Sequence, residues 1–228
     1  MSSTDSLSLS NKVAIITGSG KENGKGRAIA VKADVSTAEG SKKIVEETLS
    51  GFGVDYINII VNCASFVAYG TILDSKAKDI MKTFQVAVVG PVLLLQAAYP
   101  HIPRGGPRGG RIVNIGSVAS KLGFVQMPIY AAAKAAMDQL TFTLAREIGR
   151  DGKNITVNTV APGPVLTDSL PPVPEVEPVK DYLISLIRAE ERVGTVEDIA
   201  DAVLLLTSEK SRWITGQFIS VSGGINGG

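Results

Sequence analysis

Short apolar runs alternate with longer amphipathic or apolar segments along the whole chain. Runs rich in β-branched residues predict buried strands at residues 13–17, 56–61, 112–115 and 155–160 and within 213–224. The intervening periodicity predicts helices at 37–49, 79–98, around 130–136 and at 192–206. This alternation indicates an α/β fold, a doubly wound parallel sheet in a single domain spanning residues 1–228, with ligands at the carboxyl ends of the strands.

A glycine-rich segment follows the first predicted strand directly. Gly18, Ser19, Gly24 and Gly26 stand between the run VAIIT and a predicted helix that opens at Arg27. Glycines let a backbone approach a pyrophosphate, and a helix N-terminus offers free N–H groups to it. We interpret the segment as a dinucleotide cradle, with an ordinary loop as the alternative.

Three residues in the middle of the chain form a candidate proton-transfer site. Ser117 follows the strand at 112–115, and Tyr130 and Lys134 stand four residues apart in an alanine-rich helix, so they share a face. A free phenol has a pKa of about 10, and a neighbouring ammonium favours the phenolate. We therefore expect Lys134 to lower the pKa of Tyr130.

Ser117 followed by Tyr130-Ala-Ala-Ala-Lys134 resembles the catalytic signature of the classical short-chain dehydrogenase/reductase family, in particular its 3-oxoacyl reductases. The resemblance covers nearly the whole chain and implies a Rossmann-like sheet, NADP or NAD as cofactor, and a small-molecule carbonyl or alcohol substrate. It also implies that Tyr130 is the acid in reduction, that Lys134 holds the nicotinamide ribose and that Ser117 bonds the substrate oxygen. Family members commonly form dimers or tetramers, so the resemblance implies a homo-oligomer.

Further positions match the cofactor-binding motifs of the family. Thr17-Gly18 fits its TGxxxGxG motif, with Gly24 and Gly26 two residues further along, and Asn62-Cys63-Ala64-Ser65 stands where Asn-Asn-Ala-Gly is usual. The resemblance implies cofactor contacts for Gly18, Ser19, Gly24, Gly26, Asn62, Ala64, Tyr130 and Lys134, and for the loop residues Pro162, Gly163, Val165 and Thr167. We interpret Cys63 as a small buried side chain rather than a nucleophile.

The first half of the sheet is truncated relative to the family. Only residues 27–33 separate Gly26 from Asp34, whereas a strand–helix–strand unit takes about 30 residues. Val31–Val35 could pair beside the first strand, which would put Asp34 and Val35 near the adenosine. Alternatively, the first strand becomes a sheet edge, or the product lacks a coding segment that its relatives retain.

Ala87 marks a second departure from the family. The resemblance places there an asparagine that holds a water relaying protons to the catalytic lysine, so we expect turnover to suffer more than binding. A non-catalytic chain that has lost cofactor binding is the alternative function, and a purely structural domain is a third. The proline-rich segment 170–179 predicts a substrate-facing lid.

Bulk composition narrows the class of protein. The 228 residues carry a net charge of +1 without long runs of one sign, which favours neither nucleic-acid nor membrane binding. A single cysteine excludes an internal disulfide, and the polar N-terminus lacks a signal-peptide pattern. The most apolar segment, 86–98, is too short to cross a bilayer of roughly 30 Å. We expect a cytoplasmic protein.

Overall fold

The computed structural model describes residues 7–18, 27–104, 109–150, 152–167 and 177–225. Within these residues one five-stranded sheet has the order β1-β2-β3-β4-β5, and all four pairings are parallel. The strands are β1 (Ala14–Ile16), β2 (Ile59–Asn62), β3 (Arg111–Ile115), β4 (Thr156–Pro162) and β5 (Phe218–Val221). The predicted Rossmann-like α/β fold is confirmed.

Helices flank the sheet, and side-chain caps start the first and the last of them. They are α1 (Ala38–Phe52), α2 (Ala77–Phe84), α3 (Gly90–Ala98), α4 (Pro128–Glu147), α5 (Glu177–Ser185) and α6 (Val196–Thr207). Thr37 is the N-cap of α1 and accepts the Gly40 N–H, and Gly53 closes that helix in the left-handed conformation. Thr195 and Asp198 form a capping box that starts α6.

The core lies on both faces of the sheet. Ile112 belongs to a large buried cluster with side chains from α1, α3 and α4, whereas Val113 belongs to a smaller cluster with Leu206 of α6. Neighbouring residues of a strand point to opposite faces. The larger cluster therefore anchors α4, and with it Tyr130 and Lys134, against the sheet.

Within the described residues the sheet ends at β1, in agreement with the predicted truncation of its first half. Among the described residues β1 pairs with β2 alone, and the strand order runs in one direction without reversing. Residues 27–36 form neither the helix predicted at Arg27 nor the strand considered at Val31–Val35. The helix prediction is wrong for the described residues from Arg27 onward. Of the alternatives for Val31–Val35, the described residues agree with the one in which the first strand becomes a sheet edge.

Residues 27–36 instead run antiparallel along α1. Arg27 donates to the Gly51 carbonyl near the end of the helix, the Lys32 carbonyl accepts from Lys43 in its middle, and Asp34 lies at its start, against Gly40. Their side chains alternate, since Val31, Ala33 and Val35 pack on the core while Lys32 and Asp34 face solvent. The alternation is that of an extended strand, but the partner is a helix.

One long helical segment joins α2 to α3 through a π-helical stretch, Gln85–Val89. Helical structure extends over Ala77–His101, which has the length and mean hydropathy of a bilayer-crossing helix. Our prediction that this region is too short to cross a bilayer is therefore wrong, because the helix extends beyond residues 86–98 on both sides. Leu94 and Ala98 are fully buried in the larger core cluster, as expected of a helix that packs on a sheet.

Candidate active site at the carboxyl edge of the sheet

Ser117, Tyr130 and Lys134 converge at the carboxyl end of β3, as predicted. Ser117 caps a short 3-10 turn, and its Oγ accepts the Ala119 N–H at 3.1 Å. Tyr130 lies in the first turn of α4, and the Ser117 side chain lies near enough to its phenol to favour a lower pKa. The end of β3 thus brings the Ser117 hydroxyl near the Tyr130 phenol on α4.

Lys134 lies one turn below Tyr130 and is 3% exposed. Its Nζ donates to the Ile115 carbonyl oxygen at 2.6 Å and lies 5.5 Å from the centroid of the Tyr130 ring. Burial lowers the pKa of Lys134 to about 8, while the charges of Cys63 and Asp138 act in the opposite direction. With a pKa of about 8, the Lys134 ammonium loses its proton at a pH closer to neutrality than an exposed lysine does.

The pKa of Tyr130 is raised, not lowered, so our prediction of its direction is wrong. Desolvation by burial is the largest cause, and the neighbouring Tyr69 and Cys63 also disfavour the phenolate. The Ser117 and Ser65 side chains oppose this shift and favour a lower pKa. The Lys134 ammonium, which we expected to dominate, is bound to a main-chain carbonyl instead.

The glycine turn meets this site through the loop after β2. Gly18 has φ +78°, and a Cβ there would lie 2.8 Å from the Ala64 main chain, so only glycine fits. Thr17 Oγ1 accepts the N–H groups of Cys63 and Ala64, each at 3.1 Å. The end of β1 and the loop carrying Ala64 are thus joined. Three predicted cradle residues lie outside the described residues: Ser19, Gly24 and Gly26.

The same loop supplies side chains that our motif reasoning did not assign to the site. Ser65, Tyr69 and Cys63 lie close enough to Tyr130 to influence its pKa. Cys63 is exposed, so the expectation of a buried side chain is wrong. Desolvation of the thiol nevertheless raises its pKa, against the effect of Lys134. The sequence contained a sign that this loop differs near Tyr130, because Ser65 stands where the family motif has a glycine.

A chain of buried polar side chains underlies the site. Asn62 Nδ2 donates to Asn114 Oδ1 at 2.7 Å, Asn114 Nδ2 donates to Thr141 Oγ1 at 2.8 Å, and Thr141 and Thr159 hydroxyls are 2.9 Å apart. It links β2, β3, α4 and β4 and fixes their carboxyl ends relative to one another. Asn62 Oδ1 is buried without a hydrogen-bond partner among the described residues.

Asp138 was also missed, although its place four residues after Lys134 puts both on one helix face. Its Oδ2 accepts from Ser120 Oγ at 2.6 Å and lies 3.8 Å from Lys121 Nζ. Burial raises the pKa of Asp138, and Ser120 and the two lysines lower it. The carboxylate thus places a negative charge behind Lys134.

Asp34 and Val35 belong to the connection that enters α1. Asp34 Oδ1 accepts from the Ser36 N–H and hydroxyl, at 3.0 and 2.6 Å, and its Oδ2 lies 3.6 Å from Lys82 Nζ. The Ser36 hydrogen bonds are the main cause that lowers the pKa of Asp34. The Val35 side chain packs in the larger core cluster. Their cofactor contacts stay predictions.

The loop predicted to hold the nicotinamide carboxamide begins where β4 ends. Pro162 is the last residue of β4, and the Gly163 N–H donates to the Val221 carbonyl of β5 at 3.1 Å. Val165 bridges to Gly194, and Thr167 is exposed. Because β4 pairs with β3, this loop starts beside the strand end that carries Ser117. Most of the predicted lid lies outside the described residues, which resume at Glu177 in α5.

These residues fit a dinucleotide at its nicotinamide end. Gly18 has a left-handed backbone conformation and packs directly against the main chain of the loop after β2, and Asn62 Oδ1 is a buried acceptor without a partner among the described residues. Tyr130, Lys134 and the loop from Pro162 would hold the nicotinamide riboside, and Gly18 the pyrophosphate. On the adenosine side, the described residues place no strand beyond β1.

Comparisons with known proteins agree with this geometry. The family model for enoyl-(acyl carrier protein) reductase matches residues 13–226. A mouse (Mus musculus) (3R)-3-hydroxyacyl-CoA dehydrogenase is 34% identical over 223 residues, which cover 97% of this chain and 83% of the relative.

Solved structures give the same result. A short-chain dehydrogenase/reductase from Serratia marcescens has a TM-score of 0.79 at 33% identity, covering 89% of this chain and 78% of the other. A blue fluorescent protein from a metagenomic library, solved in complex with NADPH, has a TM-score of 0.76 at 30% identity, covering 86% and 74%. The chain belongs to the short-chain dehydrogenase/reductase family.

Proposed function

We propose that this chain transfers hydride between NADP or NAD and a small-molecule carbonyl or alcohol, with Ser117, Tyr130 and Lys134 as its catalytic residues. The observation that carries the proposal is the convergence of Ser117 and Lys134 on Tyr130, beside the loop that meets Gly18. The family membership and the NADPH complex of one structural relative support it.

Each residue has a role that follows from its surroundings. The bound nicotinamide supplies or takes up the hydride. Ser117 hydrogen-bonds the substrate oxygen, where negative charge develops during reduction. Burial keeps the Tyr130 phenol protonated at neutral pH, which suits a proton donor to that oxygen. Lys134 is mostly protonated at pH 7 and binds the ribose hydroxyls.

Apolar side chains beside the site favour a substrate with an uncharged, hydrophobic part. Ile72, Leu73 and Val125 are exposed, the last two more than 85%. They lie on two loops joined by the hydrogen bond from the Gly70 N–H to the Gln126 carbonyl, and Tyr69 of the first loop lies near Tyr130. A 3-oxoacyl thioester, suggested by the mouse relative's name, combines a ketone with such a group.

Two measurements on the full chain test the function. Titration with NADPH and NADH should show saturable binding of at least one of them. Reduction of acetoacetyl-CoA or acetophenone, followed by loss of reduced-nicotinamide absorbance, should fall at least a hundred-fold in Tyr130→Phe, because the phenol proton is removed, in line with the roughly 10²–10⁴-fold worth of acid–base groups. Activity that survives this substitution would contradict the assignment of Tyr130.

A second candidate is a family member that has lost catalysis and keeps a binding role. The end of the described sheet at β1 and the buried Ala87 in place of the relay asparagine favour it. Failure of both cofactors to bind would support this candidate. Cofactor binding without turnover would place the defect in proton transfer instead.

We also propose a homo-oligomer, a dimer or tetramer, in the cytoplasm. The outer face of the helical segment 77–98 exposes Met81 and Val89, and α4 exposes Phe142. Apolar side chains on two adjacent helices suit a helical interface with a second copy.

A further inference from the structure

Asp138 lies on the same face of α4 as two of the proposed catalytic residues. Tyr130, Lys134 and Asp138 follow one another at intervals of four residues, so one face of the helix carries all three. The Asp138 side chain is only 7% exposed, although a carboxylate loses favourable hydration when it is buried. The contacts of the buried carboxylate indicate what it does there.

The Asp138 carboxylate contacts the chain on both sides of Ser117. Its Oδ2 accepts from the Ser120 hydroxyl at 2.6 Å. Its Oδ1 lies beside Gly116, where an added Cβ would be 3.3 Å from it. This Oδ1 is buried and has no hydrogen-bond partner among the described residues, a cost that native proteins accept mainly where a group has a function. The carboxylate therefore spans the turn that carries Ser117.

The Ser120 hydroxyl links this carboxylate to Ser117. Ser120 Oγ lies 2.9 Å from the Ser117 carbonyl oxygen, which also accepts the Ser120 N–H at 3.1 Å. A hydroxyl has one proton and a carboxylate is the stronger acceptor, so the hydroxyl donates to Asp138 while the N–H holds the Ser117 carbonyl. Within the same turn the Ala119 N–H donates to Ser117 Oγ at 3.1 Å. The carboxylate on α4 thus holds the turn in place.

The ion pair with Lys121 does not by itself explain why the carboxylate is buried. Lys121 Nζ lies 3.8 Å from Asp138 Oδ2, its side chain is 48% exposed, and it also lies 5.2 Å from the centroid of the Phe218 ring. An ion pair with a partner that is half in solvent contributes little to stability.

We propose that Asp138 is a positioning residue that fixes Ser117 relative to Tyr130 and Lys134, an inference that rests on the proposed function. Ser117 starts the turn after β3, whereas the other two residues are on α4. The hydrogen bond between Ser120 and Asp138 joins these two elements directly behind Ser117. An Oγ held in this way meets the substrate oxygen without reorganising when negative charge develops there.

Reduction of acetoacetyl-CoA by the full-length protein, with saturating NADPH or NADH, tests this role. Asp138→Leu should lower kcat about tenfold, a part of the roughly 10²–10³-fold effect of losing such a donor, and leave KM within about twofold. Asp138→Asn keeps an acceptor oxygen for Ser120 and should retain most of kcat. In Ser117→Ala protein, Asp138→Leu should cause no further loss of the remaining activity, because the residue that it positions has lost its hydroxyl. Gln139→Leu, at the exposed neighbouring position of α4, is the matched control and should change neither kcat nor KM.

Amide hydrogen exchange tests the same contact without cofactor or substrate. In Asp138→Leu and in Ser120→Ala, the Ala119 N–H should exchange about fivefold faster than in the wild type, because its acceptor, Ser117 Oγ, is no longer held. Asp138→Asn and Gln139→Leu should leave this rate unchanged.

An unchanged Ala119 exchange rate in Asp138→Leu would overturn the proposal. An equal fall of kcat when Asp138→Leu is made in Ser117→Ala protein would also overturn it, since the damage would then be general. The two proposals fail differently. Full activity of Ser117→Ala would refute the proposed catalytic site, whereas an inactive Ser117→Ala together with a normal Asp138→Leu would overturn the positioning role alone.

Discussion

At the residue scale, Lys134 illustrates the cost of building a charged site inside a core. Its pKa falls from 10.5 to about 8 because the protonated form is buried. Between these two pH values the unfolded chain binds more protons than the folded chain, so the stability of the fold rises with pH across that window. Below about pH 8 the folded protein carries the full burial penalty.

Lys134→Met should therefore stabilise the protein at pH 7 while abolishing reduction. The shift corresponds to a difference on the order of 3 kcal/mol, less the lost hydrogen bond to the Ile115 carbonyl. Urea unfolding of both proteins at several pH values between 7 and 11 checks this. The stability gap should shrink as pH rises from about 8 to 10.5, and a gap independent of pH would contradict the prediction.

The convergence of Ser117, Tyr130 and Lys134 could be predicted from the sequence, because it depends on a strand end and on helical spacing. The direction of the Tyr130 pKa could not. It is set by burial and by Ser65, Tyr69 and Cys63, which come from a loop more than 60 residues away along the chain. Pairwise spacing reports which side chains share a face, but not how much water reaches them.

At the element scale, the segment 27–36 shows tertiary contacts overriding local preference. Arg27-Ala-Ile-Ala is a plausible helix start, yet the Arg27 guanidinium lies 5.3 Å above the Phe52 ring and donates to Gly51. With so few residues before Asp34, the chain can bury Val31, Ala33 and Val35 on the core only by staying extended. The sequence shows the alternation of apolar and polar residues at 31–35, but it does not show that this segment packs along helix α1 and not beside a strand.

Val35→Ala tests whether this segment belongs to the core or to the cofactor site. Removing its buried methyl groups should lower the free energy of unfolding by about 1–3 kcal/mol and leave NADPH or NADH affinity within twofold. Lys32→Ala, on the solvent side of the same segment, should stay within about 0.5 kcal/mol of wild type. Weaker cofactor binding with unchanged stability would show instead that Val35 contacts the adenosine.

At the scale of the whole molecule, the alternating pattern predicted a parallel sheet, and the absence of one crossover unit predicted its truncation. What the pattern left open was whether β1 keeps a neighbour on its outer side. That depends on whether residues 31–35 gain more from pairing with a strand or from packing on α1, a balance of long-range contacts. In the described residues the packing on α1 prevails.

Assembly of the molecule should depend on the outer face of the segment 77–98. Val89→Glu places a charge at a position of this face that is 42% exposed. Light scattering should give a multiple of 23.9 kDa for the wild type and a lower mass for the variant. A wild-type mass of one chain would refute the oligomer, and an unchanged mass in the variant would move the interface elsewhere.

The connection between the glycine turn and α1 also has a consequence for engineering. Residues 27–30 are all exposed, and the segment after them is held by side-chain packing and not by a strand ladder. Extra residues spliced in at this point would leave every pairing of the existing sheet in place. The chain is thus a natural acceptor for a transplanted strand–helix unit, and such a chimera would measure directly how much that unit contributes to holding a dinucleotide.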